Sequence, residues 1–325
     1  MIGASTLQRL KRLSRRAADG CVVLYYHRVA ALESDPQRLC VPPNLFRAQL
    51  DAIRNTYRFI SVRELVAMVV AGERLGGKSV AVTFDDGYAD NLHGALPVLT
   101  EFGLPAACFV SSAYIGADRE FWWDELERIC LQSPRLPAAV HLRIEGRGAE
   151  FGLSDASARR RAYKTLCALF RGLPGDERNR VLAELQAQTG VPSRVRESHR
   201  PLSVDELRAL GASSLMEVGA HTLWHSCLGR LSADQQRSEI IEGRRTLDRQ
   251  LGHTVDLFSY PFGQVGDFTD TTIGILRELG FRAAFTTAGE VVRNDASDAY
   301  SLPRVCMGAF SPEASLRMLQ RAWDD

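Results

Sequence analysis

Short apolar runs alternate along most of this chain with longer segments in which apolar positions recur every three or four residues. The runs at 21–26, 79–84, 106–110, 215–219, 256–260 and 282–286 carry β-branched, aromatic and small apolar residues at successive positions, as in Val80-Ala81-Val82-Thr83-Phe84. Such continuity predicts strands buried on both faces. The segments 43–55, 62–71, 91–102, 233–251 and 271–279 have helical spacing, and Gly103 and Gly280 follow two of them as C′ glycines do. The alternation predicts βα units and an α/β fold with a parallel sheet closed, or nearly closed, by helices.

Between the runs at 106–110 and 215–219 the pattern changes. Residues 120–200 begin with Phe121-Trp122-Trp123-Asp124-Glu125-Leu126-Glu127 and continue into Arg- and Ala-rich segments at 155–172 and 176–189 that read as amphipathic helices. This stretch is expected to be a helical insertion. Leaving after one strand end and returning before another, it should lie on or beside the catalytic rim. Trp122 and Trp123 are either a sugar-stacking platform or the anchor that packs the insertion onto the barrel.

Two polar strings close predicted strands. Thr83-Phe84-Asp85-Asp86-Gly87 ends the run at 79–84, and His221-Thr222-Leu223-Trp224-His225 follows Leu215-Met216-Glu217-Val218-Gly219-Ala220. Catalytic groups of parallel α/β folds gather at that edge of the sheet, and Gly87 frees the backbone for a sharp exit. Neighbouring carboxylates at a strand end point in different directions, so one can bind a divalent ion while the other accepts a proton from the attacking water. His221 and His225 are four apart and can reach one ion. Alone, Asp-Asp-Gly is an ordinary turn and each histidine an ordinary core or surface residue. Together they predict a metal site with one position open for water.

A third string, Leu257-Phe258-Ser259-Tyr260-Pro261-Phe262-Gly263, completes a set that, in this order, resembles the polysaccharide deacetylases, the NodB-homology or carbohydrate esterase family 4 group. The resemblance covers about residues 20–115 and 200–310. It implies a distorted (β/α) barrel with fewer than eight strands. It implies Asp85 as the base, and Asp86, His221 and His225 as ligands of a divalent metal, Zn²⁺ first, with Ni²⁺ or Co²⁺ as alternatives. The N–H of Phe262 is then an oxyanion donor, and Tyr260 and Pro261 are expected to line the substrate.

Two positions depart from the family pattern. Ser259 stands where many members carry an Arg that orients the base. Arg304, in Ser301-Leu302-Pro303-Arg304-Val305, is the candidate replacement, a surface Arg after a Pro being the other reading. Many members also end in a Leu-x-His string whose His is the general acid, whereas no His follows His253 here. The run Cys21-Val22-Val23-Leu24-Tyr25-Tyr26 ends in His27. A circularly permuted motif order makes His27 the expected acid; a His packed at the end of a core strand is the alternative.

Composition narrows the remaining classes. With 325 residues, 45% of them apolar, the chain can bury one large α/β barrel or two smaller domains; residues 20–325 are read as the barrel with its insertion. A net charge of +1 gives no field to gather nucleic acid, and no aromatic-plus-basic repeat marks a groove for it. The seven cysteines, Cys21, Cys40, Cys108, Cys130, Cys167, Cys227 and Cys306, are odd in number and form no C-x-x-C pair, which predicts free thiols in a reducing compartment. Residues 1–19 form a basic N-terminal segment with Arg9, Lys11, Arg12, Arg15 and Arg16, and no apolar stretch of signal-peptide length follows. No run is long enough to span a bilayer. The expected location is the cytoplasm, with the basic segment either touching anionic lipid at the inner face of the membrane or lying as a solvated helix face.

The expected function is a metal-dependent hydrolase that removes an N-acetyl group from an amino sugar of a glycan or glycolipid precursor. Two other readings stay open: a deformylase or deacetylase of a lipid- or nucleotide-linked sugar, and a non-catalytic carbohydrate-binding relative, against which an intact Asp85 counts.

Overall fold

The computed structural model describes residues 19–293 and 298–324. The basic residues Arg9 to Arg16 lie outside that range. Six of the strands are those the apolar runs predict, each within a residue or so at its ends: β1 (Gly20–Tyr26), β3 (Lys78–Phe84), β4 (Ala106–Val110), β7 (Met216–Ala220), β8 (Leu257–Ser259) and β9 (Ala283–Phe285). With the two-residue β10 (Val305–Cys306) they form a parallel sheet in the order β10, β1, β3, β4, β7, β8, β9, and the short β2 (Arg58–Phe59) pairs alongside β3. Seven strands curl into a barrel-like sheet with helices around it, fewer than the eight of a complete (β/α) barrel.

Both faces of the strands are buried, which explains their unbroken apolar character. Val22, Leu24, Tyr26, Val80, Val82 and Phe84 face the surrounding helices. Cys21, Val23, Ala81, Ala107, Phe109, Leu257, Ala283 and Phe285 form the second cluster. The helices follow the sequence pattern as well, over Pro43–Arg54, Val62–Ala71, Ala233–Leu251 and Asp270–Glu278, with a π turn at Asn91–Ala95 leading into Leu96–Phe102. Ser61, Ser232 and Thr269 accept backbone N–H groups at their N-termini, and Gly103 closes one C-terminus at φ 64°.

Small residues let this sheet pack closely. A Cβ on Gly219 in β7 would lie 2.4 Å from the Phe109 ring. Gly219→Ala is therefore expected to cost roughly 1–3 kcal/mol by overpacking, seen as a lowered Tm in thermal unfolding.

Two features depart from the expectations. The segment leading into β10 carries a parallel bridge from Leu302 to Phe285 of β9, while Val305 and Cys306 pair with Leu24 and Tyr25 of β1. It links the last strand of the sheet to the first and brings Arg304 in between. The insertion, expected to be helical, also contains an antiparallel hairpin of β5 (Ala139–Ile144) and β6 (Arg147–Gly152). Val140, Leu142 and Ile144 are buried on one face of it, and Glu145 and Gly146, at φ 48° and 79°, make the turn. The helices Trp122–Glu127, Ala156–Gly172 and Gly175–Thr189 complete the segment around its own apolar cluster. All seven cysteines are free, and among the described residues no helix is long and apolar enough to cross a membrane.

Candidate active site

The C-terminal strand ends converge on a cavity of about 150 Å³. Tyr25 and His27 come from the end of β1, Asp85 and Asp86 from that of β3, His221 and His225 from the loop after β7, and Phe262 from the turn after β8. Trp122 and Trp123 wall it from the insertion. The cavity is smaller than the ~300–1,000 Å³ of pockets that enclose a whole small molecule, so it suits the reacting end of a larger substrate.

Asp86, His221 and His225 are buried, and their donor atoms lie within 4.8 Å of one another. Asp86 Oδ1 is 3.7 Å from His221 Nε2 and 3.4 Å from His225 Nε2. Donors bound to one tetrahedral ion at ~2.0–2.2 Å are roughly 3.3–3.6 Å apart, close to what is seen. Asp86 Oδ1 has no hydrogen-bond partner among the described residues. His221 Nδ1 lies 2.7 Å from the Ser259 carbonyl oxygen, which can only accept, so the proton is on Nδ1 and the Nε2 lone pair is free. Burial holds the His221 pKa down at about 4 against the pull of Asp85, and takes His225 well below its ordinary value. Burial, and then the neighbouring Asp85, push Asp86 well above its own. These donors lack compensating positive charge, which is the deficit a divalent cation makes good.

The backbone is strained at the same place. Asp86, Thr222, His225 and Phe262 all take left-handed φ values, 77°, 64°, 56° and 65°, which non-glycine residues seldom adopt. A second cluster with ligand-like spacing, Asp124, Glu127 and His199, differs in kind. Asp124 accepts the Tyr88 hydroxyl, Glu127 accepts from Ser34, Gln132 and Arg196, and His199 Nδ1 meets Ser198 Oγ. Its polar atoms are engaged within the protein.

Arg304, read from sequence as either a surface residue or a substitute for the missing guanidinium, is fully buried. It donates to both carboxylate oxygens of Asp85 at 2.8 and 2.7 Å. Its other donors reach Ser259 Oγ at 2.7 Å, Thr83 Oγ1 at 3.0 Å and the Thr286 carbonyl at 3.1 Å. All five N–H groups are thereby satisfied. Ser259 Oγ, at the position where many members of the resembled family carry an Arg, accepts from the incoming guanidinium. Burial alone would raise the Asp85 pKa; Arg304, followed by His221 and His27, outweighs it and holds the carboxyl below its ordinary range.

His27 lines the same cavity, its ring edge-on to Tyr25 at 5.6 Å, and burial lowers its pKa while Asp85 opposes the shift. His253, the last histidine of the chain, is exposed just beyond the helix Ala233–Leu251. The Phe262 ring packs edge-on against His225 at 4.8 Å, its carbonyl accepts Thr287 Oγ1 at 2.7 Å, and its N–H has no acceptor among the described residues.

Tyr260 and Pro261 are not where a substrate-lining role requires them. Tyr260 belongs to the same buried face as Phe258, stacks on Phe268 at 3.9 Å and gives its hydroxyl to the Tyr300 carbonyl. Pro261 is buried beside it, and neither lines the cavity. The Trp pair anchors the insertion and also borders the cavity. Trp122 and Trp123 sit in the insertion's apolar cluster, yet both border the cavity, and Trp123 packs edge-on against His225 at 4.8 Å. Trp123 Nε1 donates to the Tyr88 hydroxyl, which donates in turn to Asp124. Gln37 and Thr287 also line the cavity, and Tyr88 and Asp124 stand behind Trp123, roles that the sequence pattern does not mark. Tyr88 alone carried a local signal, following Asp86-Gly87 directly.

The sequence model for polysaccharide deacetylases matches residues 72–135 and 184–284, just over half of the chain. The Bacillus subtilis (strain 168) protein YxkH is 21% identical over 284 residues, which cover 87% of this chain and 70% of that protein. Among solved structures, the Streptococcus pyogenes deacetylase PplD in complex with acetate superposes with a TM-score of 0.59 at 20% identity, covering 93% of this chain and 98% of its own. IcaB from Ammonifex degensii gives 0.59 at 23% identity, covering 94% and 98%. A de-N-acetylase from Aggregatibacter actinomycetemcomitans gives 0.56 at 16% identity, covering 94% and 100%. At these identities the structural likeness establishes the fold.

Proposed function

Because this chain belongs to the polysaccharide deacetylase family, we propose that it hydrolyses the N-acetyl group of an amino sugar in a glycan or glycolipid precursor, with a divalent ion held by Asp86, His221 and His225. The observation that carries the reading is the buried, unpartnered Asp86 Oδ1 facing two imidazole Nε2 atoms beside a carboxylate clamped by an arginine. Zn²⁺ suits a donor set of two nitrogens and one oxygen, with Ni²⁺ or Co²⁺ as alternatives. When bound, the ion would polarise the amide carbonyl and make a water more acidic.

The remaining chemistry belongs to the chain. Asp85, kept ionised and fixed in orientation by Arg304, takes the proton of the attacking water. The Phe262 N–H, presented by a left-handed residue, faces the charge that develops on the carbonyl oxygen. His27 hands a proton to the departing amine, which leaves poorly without one. Trp122 and Trp123 border the sugar while anchoring the insertion. Seven free thiols support a reducing compartment, and hence the cytoplasm, for this reaction.

Release of free amine from chito-oligosaccharides, measured before and after a chelator and again after adding Zn²⁺ or Co²⁺, tests the proposal. Activity should vanish with the chelator and return with the ion. Undiminished activity in the metal-free protein would refute it, and no activity in any state, with the ion bound, would favour a carbohydrate-binding relative.

A further inference from the structure

Glu239 lies within the helix Ala233–Leu251 and is 8% exposed. It points its carboxylate at the turn between His221 and His225. Oε2 accepts the backbone N–H of Leu223 at 3.1 Å and of Trp224 at 2.9 Å, and Oε1 accepts the Ser226 hydroxyl at 2.9 Å. The turn needs such support. Thr222 and His225 are both left-handed, an unfavourable state for a β-branched residue above all. Without a partner, the successive, half-buried N–H groups of Leu223 and Trp224 would have no acceptor in the protein.

Two further contacts converge on the same turn. Gly243 stands one helical turn beyond Glu239, on the same face of the helix. A Cβ there would lie 2.8 Å from the Thr222 carbonyl carbon and 2.9 Å from the Leu223 nitrogen. Only a glycine lets the helix approach closely enough for the carboxylate to reach both N–H groups. From the other side Arg178, fully buried on the helix Gly175–Thr189 of the insertion, donates to the Trp224 carbonyl. The turn is gripped by its N–H groups on one side and by a carbonyl on the other.

We infer that Glu239 is a positioning residue for the candidate metal site: its carboxylate holds the His221–His225 turn in the one shape that brings both Nε2 atoms to Asp86. This rests on the proposed function, in which those histidines are ligands. The carboxylate suits the turn because two of the three groups that meet it, the Leu223 and Trp224 N–H groups, can only donate, and the Ser226 hydroxyl donates to its other oxygen. A glutamine can keep its oxygen on the two backbone N–H groups and donate its NH₂ to the Ser226 hydroxyl, losing only charge assistance, whereas a methionine of similar length offers the turn no acceptor. Mutating residues that orient metal ligands characteristically weakens metal affinity 10–100-fold.

The test uses the full chain with Glu239→Met, which removes both acceptor oxygens, and, as a variant that removes no hydrogen-bonding group, Gly243→Ala. Amide hydrogen exchange of the metal-free proteins is read residue by residue, and Co²⁺ binding is followed by its visible absorption. Both variants should exchange the Leu223 and Trp224 amides faster than wild type while the Val22 and Val82 amides of the sheet stay protected. Both should bind Co²⁺ on the order of 10–100-fold more weakly, with an altered spectrum. Wild-type Co²⁺ affinity and spectrum in both variants would overturn the positioning role. Uniform loss of protection across the sheet, with Co²⁺ affinity unchanged once folded, would do the same, reducing Glu239 to a packing residue. Failure of the wild type itself to bind Co²⁺ would overturn the metal-site reading instead, a separate outcome because exchange at Leu223 and Trp224 is scored without metal.

Discussion

Asp85→Asn should lower kcat for amide hydrolysis on the order of 10²–10⁴-fold, the range associated with a positioned general base, while the protein keeps its metal. The asparagine is close in shape and can still accept one bond from Arg304, but it lacks the basicity, the charge and the second acceptor. The remaining groups, Asp86, His221, His225 and the Phe262 N–H, are untouched. His27→Ala should also reduce kcat, but through the leaving amine. Its deficit should shrink for amides whose amine departs more easily, whereas that of Asp85→Asn should not. Amine release under saturating substrate, with metal content measured in parallel, separates the two. Near wild-type kcat in Asp85→Asn would show that the proton goes elsewhere.

Arg304→Met should be the most destabilising single change at this site, by about 3–5 kcal/mol, because it strands a buried carboxylate whose five-bonded partner is gone. The pH dependence fixes its sign. In the wild type the Asp85 pKa is held below its unfolded value of about 3.9. The pair therefore contributes stability that is present above that pH and is lost as pH falls through the folded pKa. Without Arg304, burial dominates and the folded pKa rises above the unfolded one, so the variant is penalised progressively as pH rises. The gap in Tm between wild type and variant should narrow from pH 7 toward pH 4. The acid limb of the pH–rate profile should move to higher pH in the same variant. Adding Asp85→Asn to Arg304→Met should recover part of the lost stability, since the stranded charge is removed as well. A Tm gap constant with pH would contradict the pairing.

These expectations rest on residues that differ in how far the sequence disclosed them. Asp85, Asp86, His221 and His225 were legible because each stands at the end of an apolar run and the strands are where the runs put them. The carboxylate–arginine pair was only half legible. Its partners are 219 residues apart, and β10, two residues long, leaves no periodic trace. The placement of Tyr260 in the core, away from the cavity, has a reason that the sequence contains. In an extended segment it shares a face with Phe258, and Ser259 shares the other with Leu257. The hairpin at 139–152 was likewise written in the alternation of Val140, Leu142 and Ile144 with His141 and Arg143. The Arg- and Ala-rich segments that follow it carry the stronger, helical periodicity. Glu239 and Gly243 carry no local signal, because what they do depends on how closely a helix approaches a turn.

The most direct measurement is the metal content of the purified wild type beside that of His221→Ala/His225→Ala, after exposure of both to Zn²⁺ and removal of the excess. The wild type should retain about one equivalent per chain and the double variant almost none, as expected when two of three protein ligands are removed. Equal retention by the two proteins would contradict the assignment of Asp86, His221 and His225 as the site of the ion.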